Sequence, residues 1–264
     1  MNRRHFVKTS IASASAAAIG APTAAEAAAP DGRHVFELRS YELRNDLDAT
    51  RINDFFQKSF IPAAGRAGLG PVGAFSVEFG LTRPSLIILL DYPSIEGYAA
   101  ASARLAADPA LGAATKAFEA GGGMPYVRYD STLLRAFASF PAVESLPASD
   151  KRPARLFELR TYEAPNTSGL ASKLQMFDQE EIAIFKKVGF SNIFFGEALF
   201  GERLPHLTYL VAFDDMAART KAWDAFRAHP DWNRIRVKPG WVDRDTVSAQ
   251  RLGFIRPTDY SQIR

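Results

Sequence analysis

One stretch of eight residues occurs twice in this chain, 121 positions apart. Residues 35–42 read VFELRSYE and residues 156–163 read LFELRTYE, so six of the eight positions are identical. At the same offset glycines and prolines also coincide, pairing Gly68 with Gly189, Gly80 with Gly201, Pro84 with Pro205 and Pro109 with Pro230. Because glycine and proline stand where the backbone needs an unusual or a fixed φ, these coincidences predict the same turns in both segments. The chain is therefore an internal duplication of a unit of roughly 105 residues, the size of a small domain.

The repeat divides the 264 residues into four parts. Residues 1–29 precede the repeat, residues 33–137 form the first copy, and residues 154–264 contain the second copy. Residues 138–153 are rich in Pro, Ser and charged side chains, which predicts a linker. A linker of this length allows the copies to pair within one chain or between two chains, so a homo-oligomer is left open.

Each copy alternates between the periodicities of strands and helices. Residues 35–42 alternate apolar and polar side chains, as a strand does, and the residues after Asn45 repeat apolar side chains at helical spacing. Ser94 and Asp215 are the predicted N-caps of a second helix in each copy. The remaining predicted strands are residues 72–79, 86–92 and 132–137 in the first copy and residues 193–200, 207–213 and 252–256 in the second.

The resulting order, β-α-β-β-α-β, is that of the ferredoxin-like arrangement. Its antiparallel sheet has four strands and carries both helices on one face. The other face is uncovered, and two such sheets placed face to face would cover each other. We therefore predict an α+β fold in which tandem ferredoxin-like repeats form a dimeric-type α/β barrel.

The N-terminus has the features of a secretory signal peptide. It begins with a basic segment, continues with a short alanine-rich apolar stretch, and contains small-residue sites such as Ala25-Glu26-Ala27. The paired Arg3 and Arg4, followed by an apolar pair and Lys8, resemble a twin-arginine export motif. An ordinary basic signal peptide is the alternative. We expect export to the periplasm, with no stable membrane insertion after signal cleavage.

Cysteine usage and charge agree with this expectation. The chain has no cysteine, as suits a domain that folds before export and forms no disulfide at an oxidising destination. The formal net charge of +3 includes Arg3, Arg4 and Lys8, so the rest of the chain is close to neutral. Electrostatics therefore give no reason to expect a nucleic-acid partner.

Several motifs together resemble the NIPSNAP family. They are the repeated F-E-L-R-x-Y-E opening, the glycine-to-proline hairpin turn, the stretch at residues 201–215, Trp223-Asp224-Ala225-Phe226, His229-Pro230-Asp231-Trp232 and the closing residues 256–261. The resemblance covers nearly all of the chain beyond the predicted signal and is closer in the second copy. It implies the dimeric α/β-barrel fold. The family has no settled reaction, and other barrels of this superfamily include cofactor-free monooxygenases, haem-degrading enzymes and lactone isomerases, an analogy of fold alone.

The repeated motif supplies six candidate ligand-binding residues, Glu37, Arg39 and Tyr41 in the first copy and Glu158, Arg160 and Tyr162 in the second. If Phe36 and Leu38 face the helices, strand alternation points the candidates into the space between the two sheets. Buried charges need partners, so the Glu and Arg of each motif are expected to pair or to meet a partner from the other copy. A carboxylate, a guanidinium and a phenol among apolar walls could orient a small polar or aromatic molecule. The alternative is a salt-bridge network that only fixes the strand register.

The histidines add one further candidate. His206 opens a predicted strand and could look into the mouth of the barrel, whereas His229 precedes Pro230 at a helix end and is predicted to be a cap. No histidine spacing is typical of a metal site, and the chain contains no G-x-S-x-G motif, no Cys nucleophile and no phosphate loop. We therefore expect neither a metal nor a cofactor.

Two hypotheses about function follow. In the first, an exported protein binds a small polar or aromatic molecule inside the α/β barrel and, if it is an enzyme, converts it without a cofactor. In the second, the protein is a non-catalytic interaction module that acts through its outer helical faces. The sequence names neither a substrate nor a reaction.

Overall fold

The computed structural model describes residues 31–44, 46–144 and 154–264. The predicted signal peptide at residues 1–29 and the greater part of the predicted linker lie outside the described residues. Residues Gly32–Arg264 form one compact unit. No helix among the described residues has both the length and the apolar character needed to cross a membrane.

Each copy folds in the predicted order, and the helices are more divided than the periodicity predicts. The strands are β1 (Val35–Glu42), β2 (Gly73–Phe79), β3 (Ser85–Tyr92), β4 (Arg128–Ala136), β5 (Leu156–Glu163), β6 (Ser191–Phe200), β7 (His206–Phe213) and β8 (Ala249–Pro257). The helices are α1 (Asp46–Phe55), α2 (Ile61–Arg66), α3 (Ile95–Ala106), α4 (Pro109–Ala120), α5 (Thr167–Met176), α6 (Ile182–Lys187), α7 (Met216–Ala228), α8 (Pro230–Ile235) and α9 (Asp243–Thr246). The sequence pattern does not predict α4, α8 or α9.

Side-chain caps begin several of these helices. The side chains of Ser94 and Asp215 accept hydrogen bonds from backbone N–H groups at the start of α3 and α7, so both predicted N-caps are confirmed. His229 ends α7 as its C-cap, as predicted, and it also begins the unpredicted α8, because its Nδ1 accepts a hydrogen bond from the backbone N–H of Asp231 at 3.2 Å. These bonds satisfy donors that the first turn of a helix otherwise leaves without a partner.

The eight described strands form a closed antiparallel barrel in the order β1-β3-β2-β8-β5-β7-β6-β4. Each copy contributes one four-stranded sheet, with the ferredoxin-like order β4-β1-β3-β2 or β8-β5-β7-β6. Two seams join the sheets, one between β2 and β8 and one between β4 and β6. The predicted α+β barrel is confirmed, and both copies of one chain close it. A homo-oligomer of such barrels stays a prediction.

Apolar side chains of both copies fill most of the inside of the barrel. They include Phe36, Phe75, Ile87, Leu89 and Leu134 from the first copy and Phe157, Ile193, Phe194, Leu210 and Ile255 from the second. Aromatic contacts cross between the sheets: the ring centroids of Phe36 and Phe194 lie 5.3 Å apart, and those of Phe75 and Phe157 lie 5.0 Å apart. Neither sheet could keep this face from water by itself.

The predicted direction of the repeated motif is therefore wrong. Phe36 and Leu38 face the barrel interior, and Tyr41 packs with helix residues such as Ile52 and Phe56 on the outer face of the sheet. The physical reason is that both faces of this sheet are covered, so alternation distinguishes two buried faces rather than a buried and a polar one. The closed interior takes the purely apolar side chains, and the amphipathic ones lie under helices, where their polar ends can find partners.

The duplicated hairpin glycines lie at the seams between the copies. Gly80 has a φ of +88°, and a Cβ atom there would lie 2.4 Å from the carbonyl oxygen of Leu252 in β8. Gly201 has a φ of +144°, and its Cβ would lie 2.8 Å from Oγ1 of Thr132 in β4. Each hairpin needs glycine for its backbone angle and for the close approach of the other copy.

We predict that Gly80→Ala destabilises the protein by about 1–3 kcal/mol more than Gly240→Ala does. Gly240 is the matched control because it also has a positive φ, of +83°, but a Cβ there meets nothing within 4 Å. Both variants carry the left-handed strain of about 1–2 kcal/mol, and only Gly80→Ala adds the clash at the seam. Urea unfolding followed by circular dichroism measures the difference. Equal losses in the two variants would contradict the role of the seam.

Candidate functional site

The structure distributes the seven candidate residues over three places. Glu37, Arg39 and Tyr41 lie between the first sheet and its helices, Glu158, Arg160 and Tyr162 lie in the equivalent place of the second copy, and His206 lies at one end of the barrel interior. The motif does not join the two copies in one pocket.

In the first copy the motif forms a closed ion pair. Nε and Nη2 of Arg39 donate to the two carboxylate oxygens of Glu37 at 2.7 and 2.9 Å. The hydroxyls of Ser131 and Tyr92 donate to the same carboxylate at 2.7 and 3.1 Å. Burial tends to raise the pKa of Glu37, but the hydrogen bonds and the charge of Arg39 outweigh it and lower the pKa. The network connects β1 with Tyr92 of β3 and Ser131 of β4. That it only fixes the strand register stays a prediction.

In the second copy the equivalent carboxylate has other partners. Glu158 is fully buried and accepts hydrogen bonds from Nε and Nη2 of Arg219 at 2.8 and 3.0 Å and from the indole N–H of Trp223 at 2.9 Å. Arg160 keeps only one bond to Glu158, at 3.1 Å, and a long contact of 3.4 Å to Gln250. Nε of Arg160 is buried and has no hydrogen-bond partner among the described residues. The second arginine of the motif therefore retains unused capacity to donate.

Beside Arg160 lies a group of buried ionisable side chains. Nζ of Lys173 donates to Asp243 at 2.9 Å and lies 3.4 Å from Oε2 of Glu181. The hydroxyls of Tyr162 and Tyr209 share a hydrogen bond of 2.9 Å. Lys173 and Glu181 are each only 2% exposed, and Tyr209 is fully buried, so little water solvates any of them.

Burial changes the proton affinities of this group. It raises the pKa of Glu181 above its ordinary value, although the charge of Lys173 opposes the change. Burial by itself would lower the pKa of Lys173, but the carboxylates of Glu181 and Asp243 outweigh it and raise the pKa. Burial also raises the pKa of both tyrosines. Glu181 is thus a carboxyl group with increased affinity for a proton, next to a lysine that holds its charge.

All of these side chains except that of Tyr209 line one cleft, which we call the polar cleft. It lies between the outer face of the second sheet and the helices, has a volume of about 270 Å³ and is partly open to solvent. Its walls include Arg160, Tyr162, Lys173, Glu181, Arg219, Trp223, Trp232, Asp243 and Gln250. The guanidinium carbon of Arg160 lies 4.5 Å from the centroid of the Trp223 ring, so a cation and aromatic faces are presented together.

An irregular helix places Glu181 in this cleft. Between α5 and α6 the chain forms a π-helical turn, Phe177–Glu181, and the first copy has the same turn, Phe56–Phe60, between α1 and α2. A π-helical turn re-aims the side chains that follow it and is frequent at functional sites. In the first copy the last residue of the turn lies against the motif arginine, since the Phe60 ring centroid is 5.6 Å from the Arg39 guanidinium carbon. In the second copy Glu181, the last residue of the turn, lines the polar cleft together with Arg160.

The first copy shows what the fold requires at these positions. At the repeat offset, Lys173 corresponds to Ile52, Glu181 to Phe60 and Tyr209 to Ile88. Strand register supports the last pair, because Ile88 is opposite Arg39 and Tyr209 is opposite Arg160. All three first-copy residues are buried apolar side chains. The fold therefore forms without the charges, and the second copy carries them despite the free energy that their burial costs.

Lys173, Glu181, Tyr209 and Asp243 are not among the residues that the sequence patterns predict for a site. A signal for the first two was present, because Lys173 and Glu181 occupy positions where the other copy has Ile52 and Phe60 within a helical apolar stripe. A polar residue in one copy opposite an apolar core residue in the other marks a candidate site. Asp243 lies in α9, which has no equivalent helix in the first copy, so comparing the copies could not reveal it.

The family model of NIPSNAP matches this chain twice, at residues 36–139 and 157–262. The chain belongs to the NIPSNAP family. The two matched segments coincide with the two copies of the repeat and cover most of the chain. No curated protein matches the chain.

Solved structures share the NIPSNAP chain's fold over most of its length. A candidate monooxygenase from Fusobacterium nucleatum is 9% identical, with a TM-score of 0.54 over 86% of this chain and 93% of that one. A candidate monooxygenase from Lactobacillus acidophilus is 8% identical, with a TM-score of 0.52 over 85% and 94%. An anthrone oxidase-like protein is 11% identical, with a TM-score of 0.51 over 86% and 92%. At these identities the likeness shows the fold alone.

The described residues of this NIPSNAP chain contain no group of side chains that could bind a metal ion. Within residues 31–44, 46–144 and 154–264, no three or more His, Asp or Glu side chains are grouped so that they could hold a metal ion. The expected absence of a metal and of a cofactor stays a prediction.

We predict that Lys173→Ile destabilises the protein by about 3 kcal/mol at neutral pH, whereas the double variant Lys173→Ile/Glu181→Phe is as stable as the parent. The single variant leaves the Glu181 carboxylate buried without its lysine, and the double variant restores the residues of the first copy. Since the pKa of Glu181 is raised, its carboxyl takes up a proton more readily as the pH falls, and the loss in the single variant should shrink. Urea unfolding at several pH values measures this. A double variant as unstable as the single one would show that the charged group stabilises the fold.

Proposed function

We propose that this protein binds a small aromatic molecule with an acidic hydroxyl group in the polar cleft, and that Glu181 accepts the hydroxyl proton. The observation that carries the proposal is the replacement of three apolar core residues of the first copy by Lys173, Glu181 and Tyr209 in the second. Lys173 and Glu181 are charges that the fold does not require, and their position in a cleft with perturbed pKa values is typical of functional sites.

The walls of the cleft suit an aromatic ligand. Trp223 and Trp232 supply aromatic faces, and both Arg160 and Arg219 lie within 6 Å of the Trp223 ring centroid, at 4.5 and 5.6 Å. A flat ligand can stack among these groups, because guanidinium planes and aromatic rings both accept aromatic neighbours. The cleft volume of about 270 Å³ leaves room for a compact ring system.

The charges of the cleft suit an ionisable hydroxyl. The proton of the bound hydroxyl would pass to the Glu181 carboxylate, whose raised pKa favours the protonated form. The resulting phenolate or enolate would lie near the Lys173 ammonium, which Asp243 holds at 2.9 Å, and near the guanidinium of Arg160, which also lines the cleft. Both cations stabilise the anion in surroundings with little water.

The barrels of similar fold add support at the level of analogy only. Two of them are described as candidate monooxygenases and one as anthrone oxidase-like. An anthrone is the keto form of a hydroxylated aromatic compound, and removing a proton from it gives an electron-rich anion. An acid–base pair in a poorly solvated cleft is suited to forming such an anion.

The polar cleft lies in the layer between sheet and helices, whereas the sequence predicts a ligand in the space between the two sheets. The alternative of an interaction module that acts through the outer helical faces stays a prediction. Large exposed apolar side chains do occur on the helices, but Leu47, Ile95 and Met216 belong to three different helices. No single helix face among the described residues concentrates them.

We predict that the purified protein binds para-nitrophenol saturably and raises the fraction present as phenolate. The coloured phenolate reports binding, and titration calorimetry in buffers of different ionisation enthalpy counts the protons released. Because Glu181 takes up the proton, wild-type protein should release close to none, whereas Glu181→Gln should release about one for each phenolate formed.

Two variants control this experiment. Lys173→Ile/Glu181→Phe should lose binding while remaining folded by circular dichroism. Lys116→Ile should bind as the parent does, because Lys116 lines the equivalent cleft of the first copy. The absence of a saturable response in the parent, or its full retention in the double variant, would exclude the polar cleft as the binding site.

We also propose that the chain is exported to the periplasm by the twin-arginine route, on the basis of Arg3, Arg4 and Lys8. Expression in a Gram-negative host should give a shortened protein in the periplasmic fraction. Replacing both arginines by lysine keeps the positive charge of the segment, so it should abolish export by this route only. Unchanged export of that variant would indicate an ordinary basic signal peptide.

A further inference from the structure

A second cavity lies inside the barrel, at the end where β1 and β5 finish and where β3 and β7 begin. Its volume is about 150 Å³. We call it the barrel-mouth cavity. It is separate from the polar cleft, because it lies on the inner side of the barrel wall and shares none of the polar cleft's lining residues.

Both copies line this cavity with equivalent positions. Pairs related by the repeat offset include Ser40 with Thr161, Ser85 with His206, Ile87 with Thr208 and Asp130 with Arg251. The cavity therefore lies on the axis that relates the two copies. Its two halves differ in chemistry, since one presents Ser85 and Asp130 where the other presents His206 and Arg251. A ligand with distinguishable ends would bind there in one orientation.

Hydroxyl and imidazole groups concentrate on the inner wall. The hydroxyls of Thr161 and Thr208 share a hydrogen bond of 2.9 Å, and the Thr208 hydroxyl also lies 3.4 Å from Nδ1 of His206. Ser85 is 6% exposed, and its hydroxyl has no hydrogen-bond partner among the described residues. A buried hydroxyl without a partner lowers stability, so a ligand that bonds to it gains free energy.

The remaining walls limit the kind of ligand. Leu38, Ile87 and Leu159 give the cavity an apolar floor. The charged lining residues have both signs, with Glu42, Asp130 and Glu202 opposed by Arg203 and Arg251. Because these lining residues carry charges of both signs, the cavity has no electrostatic preference for an anion. The volume equals the share of about five water molecules in the liquid, so the ligand is compact.

We infer that the barrel-mouth cavity is a binding site for a compact neutral molecule with several hydroxyl groups. The hydroxyls of Ser85, Thr161 and Thr208 and the imidazole of His206 bond to the ligand's hydroxyls, and its carbon atoms rest on the apolar floor. The site is independent of the proposed function of the polar cleft, because the two share no residue.

Erythritol, a four-carbon polyol, is the probe, and the ring signals of isotope-labelled histidine in the purified protein are the readout. Polyols stabilise most proteins by exclusion from their surfaces, so a change in melting temperature would not identify a site. The signals of His206 are assigned by their absence from His206→Gln. We expect erythritol to shift the His206 signals saturably and to leave those of His34 and His229 unchanged.

Variants and other probes make the result decisive. Ser85→Ala and Thr208→Val should each weaken erythritol binding about fivefold to tenfold, because each removes one hydrogen bond. Ser76→Ala is the control and should bind as the parent does, since Ser76 is exposed on β2 outside the cavity. A saturable response to benzene or acetate but not to erythritol would overturn the inference. So would unchanged erythritol binding in both cavity variants, or no saturable response to erythritol.

Discussion

The structure depends on the burial of two apolar sheet faces against each other. Each copy of the repeat forms a four-stranded sheet whose helices cover only one face. The other face carries Phe36, Phe75 and their neighbours in one copy and Phe157 and Phe194 in the other. A sheet with such a face is not stable in water alone, so the hydrophobic effect requires a second sheet. The duplicated chain supplies its own partner and closes both seams with backbone hydrogen bonds.

Closing the barrel gives every strand two buried faces. The inner face becomes purely apolar over most of its length, and polar side chains are left for the layer under the helices and for the barrel mouth. This distribution explains why the Glu-Arg-Tyr side of the repeated motif lies outside the barrel wall. It also explains why the two candidate sites are separate, with the polar cleft outside the wall and the barrel-mouth cavity inside it.

Because the chain is duplicated, the second copy can hold buried charged side chains at positions where the first copy shows that apolar side chains suffice for folding. In the first copy Glu37 has four hydrogen-bond donors from three side chains, and the counterparts of Lys173, Glu181 and Tyr209 are apolar. In the second copy Arg219 and Trp223 bind Glu158, which leaves Arg160 with a free Nε beside Lys173 and Glu181. The same backbone thus presents a closed ion pair in one half and an incompletely bonded arginine in the other. The physical difference lies in which side chains compete for one carboxylate.

The sequence by itself determined the duplication, the β-α-β-β-α-β order of each copy and the N-caps Ser94 and Asp215, because periodicity and capping depend on residues close together in the chain. Only the tertiary structure decided which face of β1 and β5 points inward, since alternation marks two faces and does not say which one the partner sheet covers. It also decided that Asp243 and Lys173, 70 residues apart, lie within hydrogen-bonding distance. Contacts between distant segments such as these form only when the whole barrel has closed. No local sequence pattern therefore predicts which distant side chains come together.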